Sequence, residues 1–158
     1  MATENVSSSG ADGAWVRSAD DVVRLARSWI GTPYHHQASR RGIGTDCLGL
    51  IRGVWRELYG LETQQPIAYS RDWSSRAGEE SLLTAARKYL AERPRDEISA
   101  GCVVVFRYRA GYAAKHCGIA TSSTAFVHAM EGVVVSEVAL APWWRRRIAG
   151  VFAFPGVD

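Results

Sequence analysis

The chain has 158 residues, enough for one domain around one core, and its hydrophobic fraction of 47% is ordinary for a globular protein. Its formal charge is only +3, with the basic residues nearly all Arg and Lys only at 88 and 115; this suits an acidic polymer but is too weak to indicate nucleic acid as a partner. No stretch approaches the roughly 20 apolar residues of a membrane span, and the three cysteines, at 47, 102 and 117, form no C-x-x-C pair, which argues against a disulfide framework or a zinc ribbon and for folding in a reducing cytoplasm.

Residues 1–14, rich in Ser, Gly, Asn and Asp, read as a flexible lead, and we set the boundary with a single domain at 16/17, the domain running over 17–158. Met1 to Ser18 has neither a basic start nor an apolar run, so it does not read as a secretory signal. A first helix is predicted over 19–30, with Val22, Val23, Ala26, Trp29 and Ile30 on one face, Asp20 and Asp21 in its first turn, and Gly31 and Pro33 after it. A loop over 31–46 follows. A second helix is predicted over 47–59, apolar at Leu48, Ile51, Val54, Trp55 and Leu58 and stopped by Gly60. Turns are expected around Pro66 and around 70–72, then a third helix over 78–91, closed by Arg93-Pro94.

Beyond Pro94 the pattern changes to strand-length segments separated by turns, at 103–106, 116–121, 125–130, 133–138 and 148–154. Helices first and strands afterwards predict an α+β fold, with N-terminal helices packed on a C-terminal antiparallel sheet of about five strands.

Chemistry concentrates at Asp46-Cys47-Leu48-Gly49. The cysteine stands where a turn-rich loop becomes a helix, and the positive end of the helix dipole favours thiolate over thiol. An adjacent imidazole would lower such a thiol from about 8.5 into a range of roughly 3.5 to 7.5, where it attacks amides at neutral pH. His116 and His128 lie twelve residues apart on segments joined by a turn at Ser122-Ser123, a spacing that puts two side chains on one face of neighbouring antiparallel strands. An imidazole that serves a thiol with one nitrogen needs the other anchored, so a third polar group is expected. Cys47 could instead be a small buried hydrophobe, but its Asp and Gly neighbours make a poor core strand. Cys102 and Cys117 follow an apolar strand pattern and are assigned to the core. Asp46 reads as the N-cap of the second helix. His35 and His36 could bind metal, but adjacent loop histidines without partner ligands are usually polar loop residues, so no metal is expected; thiol chemistry of this kind needs no cofactor.

The segments Ala26-Arg-Ser-Trp-Ile-Gly-Thr-Pro-Tyr34, Thr45-Asp-Cys-Leu-Gly-Leu-Ile51, Lys115-His-Cys-Gly-Ile-Ala120 and Phe126-Val-His-Ala129 resemble, in order, those of the NlpC-type peptidases, papain-like cysteine peptidases of bacterial cell walls. The chain looks most similar to the branch carried as tail proteins by phages and gene transfer agents, a likeness that extends to 143–147 and 152–155. The resemblance implies a papain-like fold and cleavage of an amide in a peptidoglycan stem peptide, between D-γ-glutamyl and the diamino acid. It further implies Cys47 as nucleophile, His116 as general base and acid, and His128 as the residue that orients His116. The Tyr34 hydroxyl and the Cys47 backbone N–H would face the oxyanion, and Asp46 would also lie near the free amino end of the stem. Expected partners are stem peptides and tail-tip or baseplate proteins, with delivery to the wall in a particle tail. Two rivals share the scaffold: a cytoplasmic thiol amidase or acyltransferase, and a catalytically idle tail-tip protein. Leu48 stands where the family usually has Ser, His36-Gln37-Ala38 replaces an aromatic-Gly-Gly stretch, and Cys102 takes a position usually acidic; the first two bear on the substrate groove. The run Arg145–Arg147 reads as a solvated edge supporting the last strand.

Overall fold

The computed structural model describes residues 17–62 and 80–158. The turns expected around Pro66 and 70–72, the flexible lead and the first two residues of the predicted third helix lie outside them. The described elements are α1 (Ala19–Arg27), β1 (Ser39–Arg40), β2 (Gly44–Thr45), α2 (Cys47–Tyr59), α3 (Ser81–Tyr89), β3 (Ala91–Arg93), β4 (Val103–Phe106), β5 (His116–Ala120), β6 (Ala125–His128), β7 (Ser136–Ala139), α4 (Pro142–Arg145) and β8 (Ile148–Ala153). Six strands form an antiparallel sheet in the order β3-β8-β4-β5-β6-β7. The architecture is α+β, as the succession of helices and strands predicts.

Both faces of this sheet are covered. Val103 and Val105 of β4 face a core that includes Val22, Ala26 and Trp29 from α1 and its exit, Leu50 and Val54 of α2, and Leu82 and Leu83 of α3. Val104 and Phe106 face a second, smaller cluster with Phe126, Leu140, Val151 and the flanking Trp144. Burial on both faces is why β4 reads Val-Val-Val-Phe, without polar alternation. Trp29 fixes the approach of the exit of α1 to α2: a Cβ on Gly53 would lie 2.0 Å from its ring, so only glycine admits the indole there. Truncating so buried a Trp to Ala typically costs about 3–5 kcal/mol.

Four expectations are corrected. α1 stops at Arg27, because residues 28–31 continue in tighter turns (Trp29 N–H to Ala26 O at 3.1 Å, Ile30 N–H to Arg27 O at 3.1 Å). Gly31, at φ +89°, then gives its N–H to Val135 O at 2.8 Å. The third helix ends at Tyr89 rather than 91, because Leu90 is extended and 91–93 pair with β8 as a sixth strand; Pro94 favours an extended residue before it, and the edge of the sheet uses that preference. β7 begins at Ser136 rather than 133, since Val133 closes a turn onto Met130 and Val135 donates to Thr32 O at 2.8 Å. The loop over 31–46 contains the two-residue ribbon β1–β2. The second helix has its predicted bounds.

Candidate active site

Asp46 caps α2 and ties the preceding loop to it. Its Oδ1 accepts from Gly49 N–H and its Oδ2 from Gln37 N–H, each at 2.7 Å, and the residue is 2% exposed. Gln37 sits at φ +63°, a left-handed non-glycine residue held beside that bond. Gly49 is obligatory for the junction, since a Cβ there would lie 1.9 Å from Ala38 O. The loop thus packs directly on the first turn of the helix, and Cys47 is presented at that turn, partly exposed, with Sγ 4.0 Å from Lys115 O at the entrance to β5.

The Cys47 thiol is pulled down to about 5. A hydrogen bond from the Cys117 thiol is the leading cause, and His116 lowers it further by hydrogen bond and charge; burial and the Asp46 charge oppose them. Cys117 is pushed well up for the complementary reason: it bonds to the Cys47 sulfur and is buried, near a second negative charge. Cys117 does lie in the core, and it is also the thiol beside Cys47. Cys102 is buried in the opposite cluster.

His116 and His128 meet at 2.8 Å, His116 Nε2 to His128 Nδ1, with rings at 76°. The β5–β6 register, Ile119 to Val127 and Ala120 to Phe126, makes this a diagonal pair rather than a directly opposite one. Gly118 opens the space for it, because a Cβ there would meet His128 Cβ at 3.2 Å and Val127 O at 2.8 Å. The pair sits among aromatic rings. Trp144 lies 5.5 Å from His116 and 5.4 Å from His128, Phe126 lies 4.7 Å from His128, and Tyr108 stacks on His116 at 5.8 Å. Burial, and secondarily the charge of His116, hold His128 down to about 4. His128 is therefore neutral at physiological pH, and in the tautomer with its proton on Nε2, its Nδ1 accepts from His116 Nε2–H. That fixes the His116 ring and leaves Nδ1 for the thiol.

Tyr34 is half-buried, bridges Thr45 and packs on the same core cluster as Cys47. The structure thus brings together Cys47, His116 and His128, with Asp46 beneath the helix N-terminus and Tyr34 alongside. Sequence reasoning missed Tyr108, Trp144 and Gly118. Tyr108 was accessible in principle: Phe106 pairs with His116, and two residues on along an extended chain is the same face. Burial first, then the charges of Cys47 and Cys117, hold its phenol protonated well above the usual range. Among the described residues no cluster of three or more His, Cys, Asp or Glu side chains could hold a metal ion. No described helix is long and apolar enough to cross a membrane.

A thiol at a helix N-terminus, facing an imidazole pair on an antiparallel sheet, defines a papain-like α+β domain. The chain belongs to the NlpC/P60 family, whose sequence profile matches residues 31–152. It is 28% identical over 137 residues to the murein DD-endopeptidase MepS/murein LD-carboxypeptidase of Escherichia coli K12, an alignment covering 84% of this chain and 62% of that protein. The chain therefore spans less than two thirds of that relative's length. Among solved structures it resembles the NlpC/p60 domain of the peptidoglycan hydrolase SagA (TM-score 0.58, 19% identity, 87% of this chain and 99% of that one). It also resembles an NlpC/P60 family protein from Bacillus cereus (TM-score 0.61, 18% identity, 86% of this chain and 40% of that one). At these identities the likeness is one of fold.

Proposed function

We propose that this chain is a cysteine peptidase that hydrolyses an amide in the peptide stems of peptidoglycan. The observation that carries the reading is the Cys47 thiol, held near 5 at a helix N-terminus beside an imidazole whose far nitrogen is anchored at 2.8 Å on a neutral histidine. Family membership and the E. coli relative's name supply the substrate class. In this scheme Cys47 thiolate attacks the carbonyl carbon, and the oxyanion takes hydrogen bonds from the Cys47 backbone N–H and the Tyr34 hydroxyl. His116, protonated and braced by His128, gives its proton to the departing amine, leaving a thioester. Water then attacks that thioester, His116 takes a proton from it, and acid and free thiolate are released. Asp46 holds the helix N-terminus in place and offers its negative charge to the amino end of the stem.

For the bond itself we favour D-γ-glutamyl–diamino acid, as the motifs resemble that specificity; the E. coli relative's name points to D,D and L,D bonds instead. Digestion of purified wall followed by mass spectrometry of the released muropeptides decides between them, and an undigested wall under all conditions would remove the hydrolase reading. For delivery we propose a phage-like tail, on the resemblance of the motifs and of residues 143–147 to that branch. Proteomics of purified particles from the producing strain tests this, and its absence from them would bring forward the cytoplasmic thiol enzyme.

A further inference from the structure

A groove of about 420 Å³ adjoins the site and is lined by Arg95, Arg107, Tyr108, Arg146, Arg147 and, beside Ala110, the start of β8. Four guanidiniums border it and no carboxylate does. Arg107 is paired, to Glu80 and the Tyr112 carbonyl. Arg95 and Arg146 have no ion pair among the described residues. Arg147 lies flat over Trp143, 3.8 Å from the ring centroid, and donates Nη1–H to Trp143 O at 2.8 Å, while its Nε is buried with no partner. Arg95 and Arg146, brought beside Arg107 and Arg147 without a carboxylate in the lining, form a site that an anionic oxygen group would complete.

Tyr108 is both a wall of the groove and the ring stacked on His116, so an occupant lies one aromatic residue away from the imidazole. No residue of the 31–46 loop, on which the amino end of the substrate would lie, lines the groove. The groove is linked through Tyr108 to His116, the residue that would give its proton to the departing amine. We propose that the groove is an anion subsite that holds a carboxylate carried by the residue on the amine side of the scissile bond. This deepens the hydrolase reading and rests on it. Arg147, packed on Trp143, would set the orientation, and Arg95 and Arg146 would supply free charge.

The test compares two γ-D-glutamyl peptides, one with the amine-side carboxylate free and one with it amidated. Wild-type protein should prefer the free acid in KM by about tenfold or more, the size of one or two charge-assisted hydrogen bonds. In an Arg95→Ala/Arg146→Ala double variant, both positions being on the surface, the acid-to-amide ratio should fall towards one. Arg24→Ala, which removes a positive charge on α1, should keep the wild-type ratio. A wild-type enzyme indifferent to amidation, or a ratio unchanged in the double variant, overturns the subsite. Calorimetric titration of Cys47→Ala with the same two peptides reads the preference in Kd without turnover. If no peptide or wall is cut, the hydrolase reading fails while that titration still decides the groove: tenfold preference for the acid sustains it, and equal or no binding sinks it.

Discussion

Cys47 and His128 both have pKa values below their ordinary ones, and the two shifts mean opposite things. Around Cys47 the neighbours are polar, a thiol and an imidazole at a helix N-terminus, and they stabilise the charged form. Around His128 the neighbours are Phe126 and Trp144, and they penalise the charged form. The site thus builds charge on the sulfur and denies it to the second imidazole, 2.8 Å from the first. The proton acquired by His116 then has no competing resting place, and it stays where the proposed leaving group can take it.

Removing the charged member should have the largest effect. Cys47→Ala should abolish release of muropeptides from purified wall. A short iodoacetamide pulse near pH 6.5 should label Cys47 and spare the buried Cys102 and Cys117; labelling of either buried cysteine first would count against the assignment. His116→Ala should lower kcat by roughly 10²–10⁴, the usual worth of a general acid–base group, with the circular dichroism spectrum unchanged.

The neutral member should matter less to rate and more to acid stability. His128→Ala should cost less than His116→Ala, and His128→Gln, which restores an acceptor, should recover part of the loss; near-wild-type kcat in the Ala variant would place the anchor elsewhere. A histidine depressed from 6.5 to about 4 binds fewer protons folded than unfolded between those values. Stability is therefore full above pH 6.5 and lost as pH falls towards 4, by on the order of 3 kcal/mol. Urea midpoints for His128→Gln should fall less steeply across that window than those of wild type. Trp144→Ala, which wets the pair, should raise the His128 pKa towards 6.5, visible by NMR titration of the ring; an unmoved titration would show that the indole does not set it.

How much of this could be read from the chain depends on how local each signal is. α2 was legible to the residue because its cap, Asp46, and its stop, Gly60, both act within one turn. The approach of His116 and His128 was legible because a short turn joins their strands. β3 was not, because three residues before a proline read as the frayed end of a helix until β8 supplies their hydrogen bonds. Trp144 was not legible, since nothing near it in sequence shows that α4 folds onto Phe106 and the histidines. Cys117 is the instructive half-success: the apolar strand pattern gives its burial, but contact with a cysteine seventy residues earlier is a property of helix-on-sheet packing.

That contact yields the smallest expected effect. If the Cys117 thiol is the leading support of the Cys47 thiolate, as its position implies, Cys117→Val keeps the apolar volume and removes the donor. The pH midpoint of Cys47 alkylation should then rise above its wild-type position near 5 while remaining below that of a free cysteine, because His116 and the helix N-terminus still act. Turnover near neutral pH should change little, since the thiolate remains substantially populated there, and the acid limb of the rate profile should move up with the midpoint. A stronger outcome is also readable: a midpoint that returns to that of an ordinary thiol would show that the imidazole contributes almost nothing to the charge on sulfur. An unmoved midpoint would assign the whole effect to His116 and the helix, and Cys117 would be a core residue alone.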